Sequence, residues 1–284
     1  MDKHTFRFGT VGTPKNKPAK PGGSVGGIHY LDELGLKAME LGWVRSVRVS
    51  ESTTENIQAA GKERDVALSV HAPYYINLNA DEEEWPKSRK RLMDAARAGY
   101  ASGATDIVFH PGSYFGKSPV EVLNKSLPRL EGCVKELQAE GNSVILRPET
   151  MGKGAMLGSL EDTLEMSKLT GVEPCLDFAH LHARPGDGSM NSYQEWMEVL
   201  TSYQKALGDD SLQRLHCHHS GIEYTEKGEQ NHLVISESDF NLDDLFRALK
   251  DSKAGGRILC ESPTLEEDAL FVQNSWLKFN AKAD

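Results

Sequence analysis

The chain has 284 residues, enough to bury a full hydrophobic core, and α/β barrels often reach this length as one domain. Its 38% hydrophobic and 26% charged residues are typical of globular proteins. The N-terminus lacks an apolar run suited to a signal peptide, and no stretch of about 18 apolar residues occurs, so we expect no membrane span. The net charge of −10 argues mildly against a nucleic-acid coat protein, although bound divalent cations would reverse that charge locally.

The four cysteines are Cys133, Cys175, Cys217 and Cys260, and they form no Cys-x-x-Cys pair. Scattered cysteines favour reduced thiols over a disulfide framework. We therefore expect a cytoplasmic protein.

Short β-rich segments alternate with longer amphipathic segments along the whole chain. The predicted strands are residues 6–11, 46–50, 67–71, 106–110, 143–149, 174–177, 214–218 and 257–261. The segments between them, such as YLDELGLKAMELG, are predicted to be helical. In the segment that begins at Ser118 and ends near Gly141, apolar residues recur at steps of three and four, which is typical of one helical face.

Strict β/α alternation predicts a parallel sheet with helices outside it. Eight repeats close into a (β/α)8 TIM barrel, whereas a doubly wound sheet usually carries a Gly-x-Gly-x-x-Gly loop after its first strand. The loop here, GTVGTPKNKPAKPGG, lacks that motif, and no internal linker interrupts the chain. We therefore predict a single TIM-barrel domain over residues 1–284.

Histidines and carboxylates recur where the predicted strands end, and eight of the ten histidines lie there. In chain order these residues are His71, His110, Glu149, Asp177, His180, His182, His216, His218, His219, Glu229, His232 and Glu261. The C-terminal ends of barrel strands converge on one site, so we expect these side chains to meet.

Neutral imidazole and carboxylate oxygen are the ligands that zinc prefers. Taken alone, each residue has a plainer interpretation: a histidine can be a hydrogen-bonded structural residue, Asp177 a cap, and Glu149 a partner of Arg147 or Arg257. Packing Glu149, Asp177 and Glu261 together without a cation would be costly because of desolvation and repulsion. The whole set therefore predicts a cluster of divalent metal ions.

Tyr74 and Tyr75 follow the third predicted strand on the same face of the barrel. From the residues alone, loop packing and stacking against nucleic-acid bases are equally good interpretations.

Seven motifs between about residues 66 and 264 resemble the endonuclease IV family of apurinic/apyrimidinic endonucleases, within the xylose-isomerase-like TIM barrels. In order they are SVHAPYYINL, IVFHPGS, PETMG, LDFAHLHA, HCHHSG, KGEQNH and CESP. Singly they are short, but in this order on eight strands they are specific. The resemblance implies a metal-dependent hydrolase of DNA repair that cuts the phosphodiester 5′ to an abasic site and leaves a 3′-hydroxyl.

The resemblance also implies three metal ions, usually zinc, with manganese or iron as alternatives. His71 and His110 would bind the first metal, and Glu149 would bridge it to the second. Asp177, His216 and Glu261 would complete the second site, with Glu149 and Glu261 as catalytic carboxylates. His180, Glu229 and His232 would hold the third metal. Tyr74, Tyr75 and Asn77 would contact double-stranded DNA, and we expect the enzyme to be a monomer.

The sequence departs from the family pattern at three places. The family commonly has Asp-x-His after the seventh strand, whereas this chain has Glu229-Gln-Asn-His232, one residue longer. His216 and His218 share a strand face, so His218 is an alternative ligand there. The loop after the second predicted strand reads SESTTENIQ and lacks an Arg-rich stretch.

Two rival functions remain open at this point. A sugar isomerase or epimerase of the same superfamily would use Glu149, Asp177, His216 and Glu261 around one metal. A catalytically silent binding protein is the second rival, but such a protein has no physical reason to keep every ligand. The additional histidines favour the nuclease, because a mono-metal isomerase has less use for them.

Overall fold

A computed structural model of the chain describes residues 5–281. In this range the strands, in chain order, are β1 Phe6–Val11, β2 Ala38–Gly42, β3 Ala67–His71, β4 Asp106–Phe109, β5 Gly112–Ser113, β6 Ile145–Pro148, β7 Met156–Leu157, β8 Cys175–Asp177, β9 Leu215–His219, β10 Gly221–Thr225, β11 Gly228–Leu233 and β12 Gly256–Cys260. The α-helices are α1 Gly23–Glu33, α2 Glu51–Glu63, α3 Trp85–Ala101, α4 Pro119–Ala139, α5 Leu160–Thr170, α6 Phe178–Ala183, α7 Tyr193–Leu207, α8 Leu242–Asp251 and α9 Glu266–Ala281. Two 3-10 helices span Asp209–Arg214 and Ile235–Glu237.

Eight parallel strands form one sheet in the order β6-β4-β3-β2-β1-β12-β9-β8. The two edge strands meet through a parallel bridge between Glu149 and Cys175, where the backbone N–H of Thr150 donates to Cys175 O at 3.0 Å. This contact brings the sheet round into a barrel, so the predicted TIM-barrel fold is confirmed.

Strand β4 shows why the barrel strands are continuous apolar runs in the sequence. Ile107, Val108 and Phe109 are all fully buried, because one face of the strand lines the barrel and the other lies under helices. The polar residues that follow such strands consequently emerge together at the C-terminal end of the barrel.

The second strand differs from its predicted position. It lies at Ala38–Gly42, whereas residues 46–50 belong to the loop that follows it. The segment YLDELGLKAMELG was predicted to be helical throughout, but α1 ends at Glu33 and Gly35 has a φ of 78°. A left-handed residue there breaks the helix and turns the chain into β2.

All four cysteines lie within the described residues; they are buried, and none is in a disulfide. Among residues 5–281, the helices are too short or too polar for any of them to cross a membrane.

Strand spacing depends on a close approach at Gly9 in β1. A methyl group on Gly9 would lie 1.7 Å from the carbonyl oxygen of Ala38 in the neighbouring strand. By contrast, a methyl group on Gly132, which is exposed in α4, would meet no atom within 4 Å.

We therefore expect Gly9→Ala to destabilise the protein by about 3 kcal/mol, since overpacking against backbone cannot be relieved by a rotamer change. Gly132→Ala should instead stabilise it by about 1 kcal/mol through helix propensity. Urea unfolding of the two variants measures both effects. Equal stability of the Gly9→Ala variant and the parent protein would contradict the close approach.

Candidate metal centre

Glu149 lies at the centre of the polar cluster at the C-terminal end of the barrel. Its side chain is fully buried, and four imidazoles surround it. One oxygen, Oε2, lies 3.4 Å from His71 Nε2 and 3.2 Å from His110 Nε2. The other, Oε1, lies 3.4 Å from His180 Nδ1 and 3.3 Å from His218 Nδ1. The two oxygens of one carboxylate therefore face two different groups of histidines.

Burial alone would raise the pKa of Glu149, but His110 and the neighbouring imidazoles lower that pKa well below its usual value. His71, His110 and Glu149 place their ligand atoms close enough together to hold one ion. This is the first group of the centre, and it contains the three residues expected there.

The second group consists of Glu149, Asp177, His218 and Glu261. Asp177 Oδ2 and Glu261 Oε1 are buried oxygens without a hydrogen-bond partner among the described residues, as is Glu149 Oε2 on the side of the first group. Burial raises the pKa of Asp177, and the carboxylates of Glu261 and Glu149 raise it further. For Glu261 burial acts in the same direction, but the imidazole of His218 outweighs it and lowers the pKa to about 2. Orphaned carboxylate oxygens beside an imidazole fit a divalent cation, which would satisfy all of them.

His218, and not His216, lies beside the carboxylates of the second group. His216 lies two residues earlier on β9 and deeper in the barrel, where its Nε2 is 2.9 Å from Glu40 Oε2. Both side chains point inward because alternate residues of a strand share one face. The structure therefore brings His218, the alternative ligand, together with Asp177 and Glu261, and it places His216 beside Glu40 instead.

The third group consists of His180, Glu229 and His232. His180 lies on α6, and Asp177 caps that helix by accepting from His180 N at 2.7 Å. Glu229 Oε2 lies 3.6 Å from His180 Nε2, and the His232 ring lies 5.4 Å from the His180 ring.

The extra residue between Glu229 and His232 is absorbed by a β-bulge. In the β10–β11 hairpin, Asn231 pairs with Glu223 and Glu229 pairs with Tyr224, which leaves Gln230 without a partner in the register. A bulge shifts the side-chain alternation by one. Glu229 and His232 consequently reach the same group despite the longer spacing.

Three of the histidines are fixed through Nδ1 by a neutral group. His71 Nδ1 lies 3.0 Å from Ala72 O, His180 Nδ1 lies 3.0 Å from Thr150 O, and His232 Nδ1 lies 2.6 Å from Ser220 Oγ. A carbonyl can only accept, so at His71 and His180 a proton sits on Nδ1, and Nε2 is the nitrogen that faces the ligand group.

Two of the predicted strand-end histidines turn away from the centre. His182 Nε2 lies 2.9 Å from Asp239 Oδ1, and its Nδ1 lies 2.8 Å from Met190 O. His219 packs its ring against Phe240, and burial lowers its pKa to about 3. Sequence position alone could not separate these two structural histidines from the others.

The loop after β3 presents aromatic side chains beside the centre. Tyr74 is 51% and Tyr75 66% exposed, and the Tyr74 ring lies 5.2 Å from the His110 ring. Asn77 is half-buried, and its Oδ1 accepts from Asn79 N at 2.9 Å, so it braces the loop. Phe115, in the next loop, is 66% exposed and has a φ of 50°, and no sequence motif indicated it.

The loop after β2 contains arginines that the sequence motifs did not reveal. With β2 at Ala38–Gly42, this loop begins at Trp43 and reads WVRSVRVS, and both Arg45 and Arg48 are exposed. The apparent lack of arginine resulted from the misplaced second strand.

Two further residues shape the centre and were not found from the sequence. Glu40, on β2, is fully buried beneath His218, and the misplaced strand hid it. Gly152 leaves room for the third group, because a methyl group there would lie 2.7 Å from Glu229 Cβ and 3.1 Å from His180 Cδ2. The glycine in the PETMG motif was the available signal for that contact.

Among known proteins, the family model of the xylose isomerase-like TIM barrel matches residues 28–278. An uncharacterized protein of Methanocaldococcus jannaschii is 36% identical over 95% of this chain and 96% of its own length. A protein named "Probable endonuclease 4" from Oceanobacillus iheyensis is 30% identical over 76% of this chain and 64% of its own length. Endonuclease 4 of Thermus thermophilus is 27% identical, over 90% of this chain and 94% of its own length.

Solved structures match the whole barrel at lower identity. The crystal structure of endonuclease IV from Thermus thermophilus is 20% identical with a TM-score of 0.69, over 96% of this chain and 99% of that one. A D-tagatose 3-epimerase-like protein is 19% identical with a TM-score of 0.70, over 98% of this chain and 100% of that one. At these identities the likeness concerns the fold, which the nuclease and the epimerase-like protein share.

The protonation of His71 predicts how the metal-free protein responds to pH. Burial lowers the pKa of His71, but the Glu149 carboxylate, with Glu40 and Glu261, outweighs it and raises the pKa to about 9. A raised histidine pKa contributes stability that is full below about 6.5 and is lost as the pH rises through about 9. We therefore expect the melting temperature of the chelator-treated protein to fall between these pH values.

Divalent cations should reverse this trend, because an imidazole must lose its proton before it can bind a metal. Their affinity should rise over the same pH range, with proton release detected by calorimetry in buffers of different ionisation enthalpy. His71→Gln should weaken the pH dependence of both quantities. Cation binding without any proton release at pH 7 would contradict the assigned role of His71.

Proposed function

The chain belongs to the xylose isomerase-like TIM barrel family, and from that premise we propose that it is a metal-dependent endonuclease of DNA repair. Its substrate would be double-stranded DNA with an abasic site. The reaction would hydrolyse the phosphodiester 5′ to that site and leave a 3′-hydroxyl. The cysteines, buried and unpaired, suit the reducing cytoplasm, and we propose that the enzyme acts there as a monomer.

The proposal is carried by the three ligand groups and by the way Glu149 connects two of them. Glu149 contributes to both the first and the second group, and the third group lies beside them through His180. Such a row offers positions for several cations on one side of a phosphate. Neighbouring metal ions about 3.5–4 Å apart are typical of enzymes that cleave phosphate esters.

The chain's own residues suit zinc at these positions. His71 and His110 offer imidazoles to the first group, Asp177, His218 and Glu261 complete the second, and Glu229 adds a carboxylate to the third. Mixed imidazole and carboxylate sets suit zinc, and they also accept manganese or iron. Bound divalent cations would supply Lewis-acid activation of water and neutralise charge on the phosphate.

Charge and exposed aromatic rings support DNA as the partner. The loops at residues 12–22 and 43–50, which follow β1 and β2, contain five basic and no acidic residues: Lys15, Lys17, Lys20, Arg45 and Arg48. Tyr74, Tyr75 and Phe115 lie in the next two loops and could stack against bases. Phosphate contacts from the first pair of loops would hold the duplex while the rings probe its grooves.

The rival that retains support is a mono-metal sugar isomerase or epimerase. Glu149, Asp177, His218 and Glu261 would be sufficient for that chemistry, and an epimerase-like protein shares the fold. The first and third groups are what this rival does not use. Assays of ketose epimerisation with added zinc or manganese would detect it.

The decisive experiment incubates the protein with a duplex that contains a tetrahydrofuran abasic analogue, with and without EDTA. This analogue cannot undergo β-elimination, so a nick with a 3′-hydroxyl reports hydrolysis. We expect incision that EDTA abolishes. Glu261→Gln should lower the incision rate by roughly two orders of magnitude, because the second group loses a charged ligand.

The matched control is Glu267→Gln, which removes an exposed carboxylate six residues away. It should cut at the parent rate. An intact duplex with the parent protein, together with epimerase activity, would replace the nuclease by its rival.

Tyr75 provides a test of DNA binding that is separate from the metal groups. Its ring is 66% exposed, and the ring contacts with histidines of the centre are made by Tyr74 instead. If it stacks on a base, Tyr75→Ala should weaken binding of the abasic duplex by roughly 5- to 150-fold, the equivalent of about 1–3 kcal/mol. Fluorescence anisotropy measures the affinity, and elemental analysis should give an unchanged metal content.

Tyr100→Ala is the control, since Tyr100 is 45% exposed on α3, outside these loops. It should bind the duplex like the parent protein. Equal losses in both variants would mean that Tyr75 has no specific role in binding.

A further inference from the structure

We propose that Glu40 is a positioning residue that fixes the ring of His218 and presents its Nδ1 to the second metal group. This inference rests on the proposed function, since it takes His218 as a metal ligand. Glu40 is on β2, inside the barrel and beneath the centre, and its side chain is fully buried.

The carboxylate of Glu40 faces two imidazoles and one hydroxyl. Its Oε1 lies 3.0 Å from His218 Nε2 in an ion-pair contact, and both atoms are buried without a hydrogen bond of regular geometry in the described part of the chain. Its Oε2 accepts from Ser69 Oγ at 2.7 Å and lies 2.9 Å from His216 Nε2. Ser69 and His216 therefore hold one oxygen and leave the other for His218.

The opposite side of the His218 ring faces the second group. His218 Nδ1 contacts Glu261 Oε1 and lies 3.3 Å from Glu149 Oε1. A neutral imidazole has one N–H, and a carboxylate can only accept. A cation that meets Glu149 and Glu261 would take the place of the Nδ1 proton, and the remaining proton would then sit on Nε2, beside the Glu40 carboxylate.

His218 is oriented differently from the other histidines of the centre. His71 and His180 direct Nδ1 to backbone carbonyls and Nε2 to a ligand group, whereas His218 turns Nε2 to the carboxylate beneath it and Nδ1 to the second group. A carboxylate partner makes an imidazole a stronger ligand than a neutral carbonyl does. Glu40 should therefore raise the affinity for the cation at the second group and leave the affinity for the others unchanged.

The surroundings of Glu40 explain why its charge is available to His218. The nearby arginines of the barrel interior are engaged elsewhere, since Arg147 Nε lies 2.5 Å from Asp106 Oδ1 and Arg257 Nη2 lies 3.0 Å from Asp106 Oδ2. Barrel interiors are usually filled by branched apolar side chains. A buried carboxylate shared between two imidazoles is thus a specialised feature of this barrel.

The test compares zinc binding by the full-length parent protein with that of Glu40→Gln, which keeps the volume and removes the charge. Competition with a chromogenic chelator gives the affinity of each bound zinc, and elemental analysis gives their number. We expect one zinc to bind 10- to 100-fold more weakly, by roughly the factor seen for such outer partners, while the others are unchanged. When cobalt replaces zinc in both proteins, the visible absorption bands of that site should differ between Glu40→Gln and the parent protein.

Two more variants separate positioning from general loss of structure. Ser69→Ala removes the hydroxyl that holds Glu40 and should weaken the same zinc by a smaller factor. Asp106→Asn removes another buried carboxylate of the barrel interior; it should lower the melting temperature without changing zinc affinity. If Glu40→Gln does not fold, Ser69→Ala decides the question.

Zinc affinity and cobalt spectra equal to those of the parent protein in Glu40→Gln would overturn the inference. If Glu40→Gln does not fold, the same result in Ser69→Ala would overturn it. Equal weakening of zinc in Asp106→Asn would also overturn it. A parent protein that binds zinc but does not cut abasic DNA would refute the proposed nuclease. In that case the effect of Glu40→Gln on zinc would still decide the role of Glu40.

Discussion

The buried carboxylate of Glu149 is the constraint on which the rest of the centre depends. A fully buried negative charge is costly unless nearby groups compensate it, and here four imidazoles surround it. Asp177 and Glu261 add further negative charge at the same place, with oxygens that lack hydrogen-bond partners among the described residues. Protonated histidines can balance this charge in the metal-free protein, and cations can replace those protons. The same side chains would therefore balance the buried charge with protons in the metal-free protein and with cations in a metal-bound one.

The two ends of the barrel solve the problem of buried charge in different ways. At the N-terminal end, Arg147 and Arg257 neutralise Asp106, and burial opposes but does not prevent the low pKa of that carboxyl. A guanidinium stays protonated at any physiological pH, so this arrangement is permanent. At the C-terminal end the compensating groups are imidazoles, which can release a proton. Arg147 lies on β6 and Glu149 directly follows that strand. A permanent ion pair and a carboxylate surrounded by titratable imidazoles therefore lie only two residues apart in the chain.

Much of this arrangement was predictable from the sequence, because strand ends in a TIM barrel converge and the ligand types are chemically distinctive. The alternation of strands and helices predicts the TIM barrel, and the strand ends contain the residues of the first and third groups. The sequence does not show how far along the barrel axis each side chain lies. His216 and His218 are equivalent by alternation, and only the height of each along the barrel axis separates them. Because the second strand is predicted at residues 46–50 and lies at Ala38–Gly42, the sequence does not identify Glu40 as a barrel residue or the arginines as loop residues.

Charge is distributed unevenly over the barrel face that carries the three ligand groups. Residues 12–22 carry three lysines and residues 43–50 carry two arginines, and neither loop contains an acid. The hairpin of β10 and β11 has Glu223, Glu226 and Glu229 against Lys227, which leaves it with two net negative charges. An anionic strand laid across this face is attracted on the side of β1 and β2 and repelled on the side of the hairpin. The negative charge of the whole chain does not oppose such binding, because the field that a strand meets is set by the loops within a Debye length of about 10 Å. An anionic ligand would therefore have one preferred orientation on this face, with its more negative part on the side of β1 and β2.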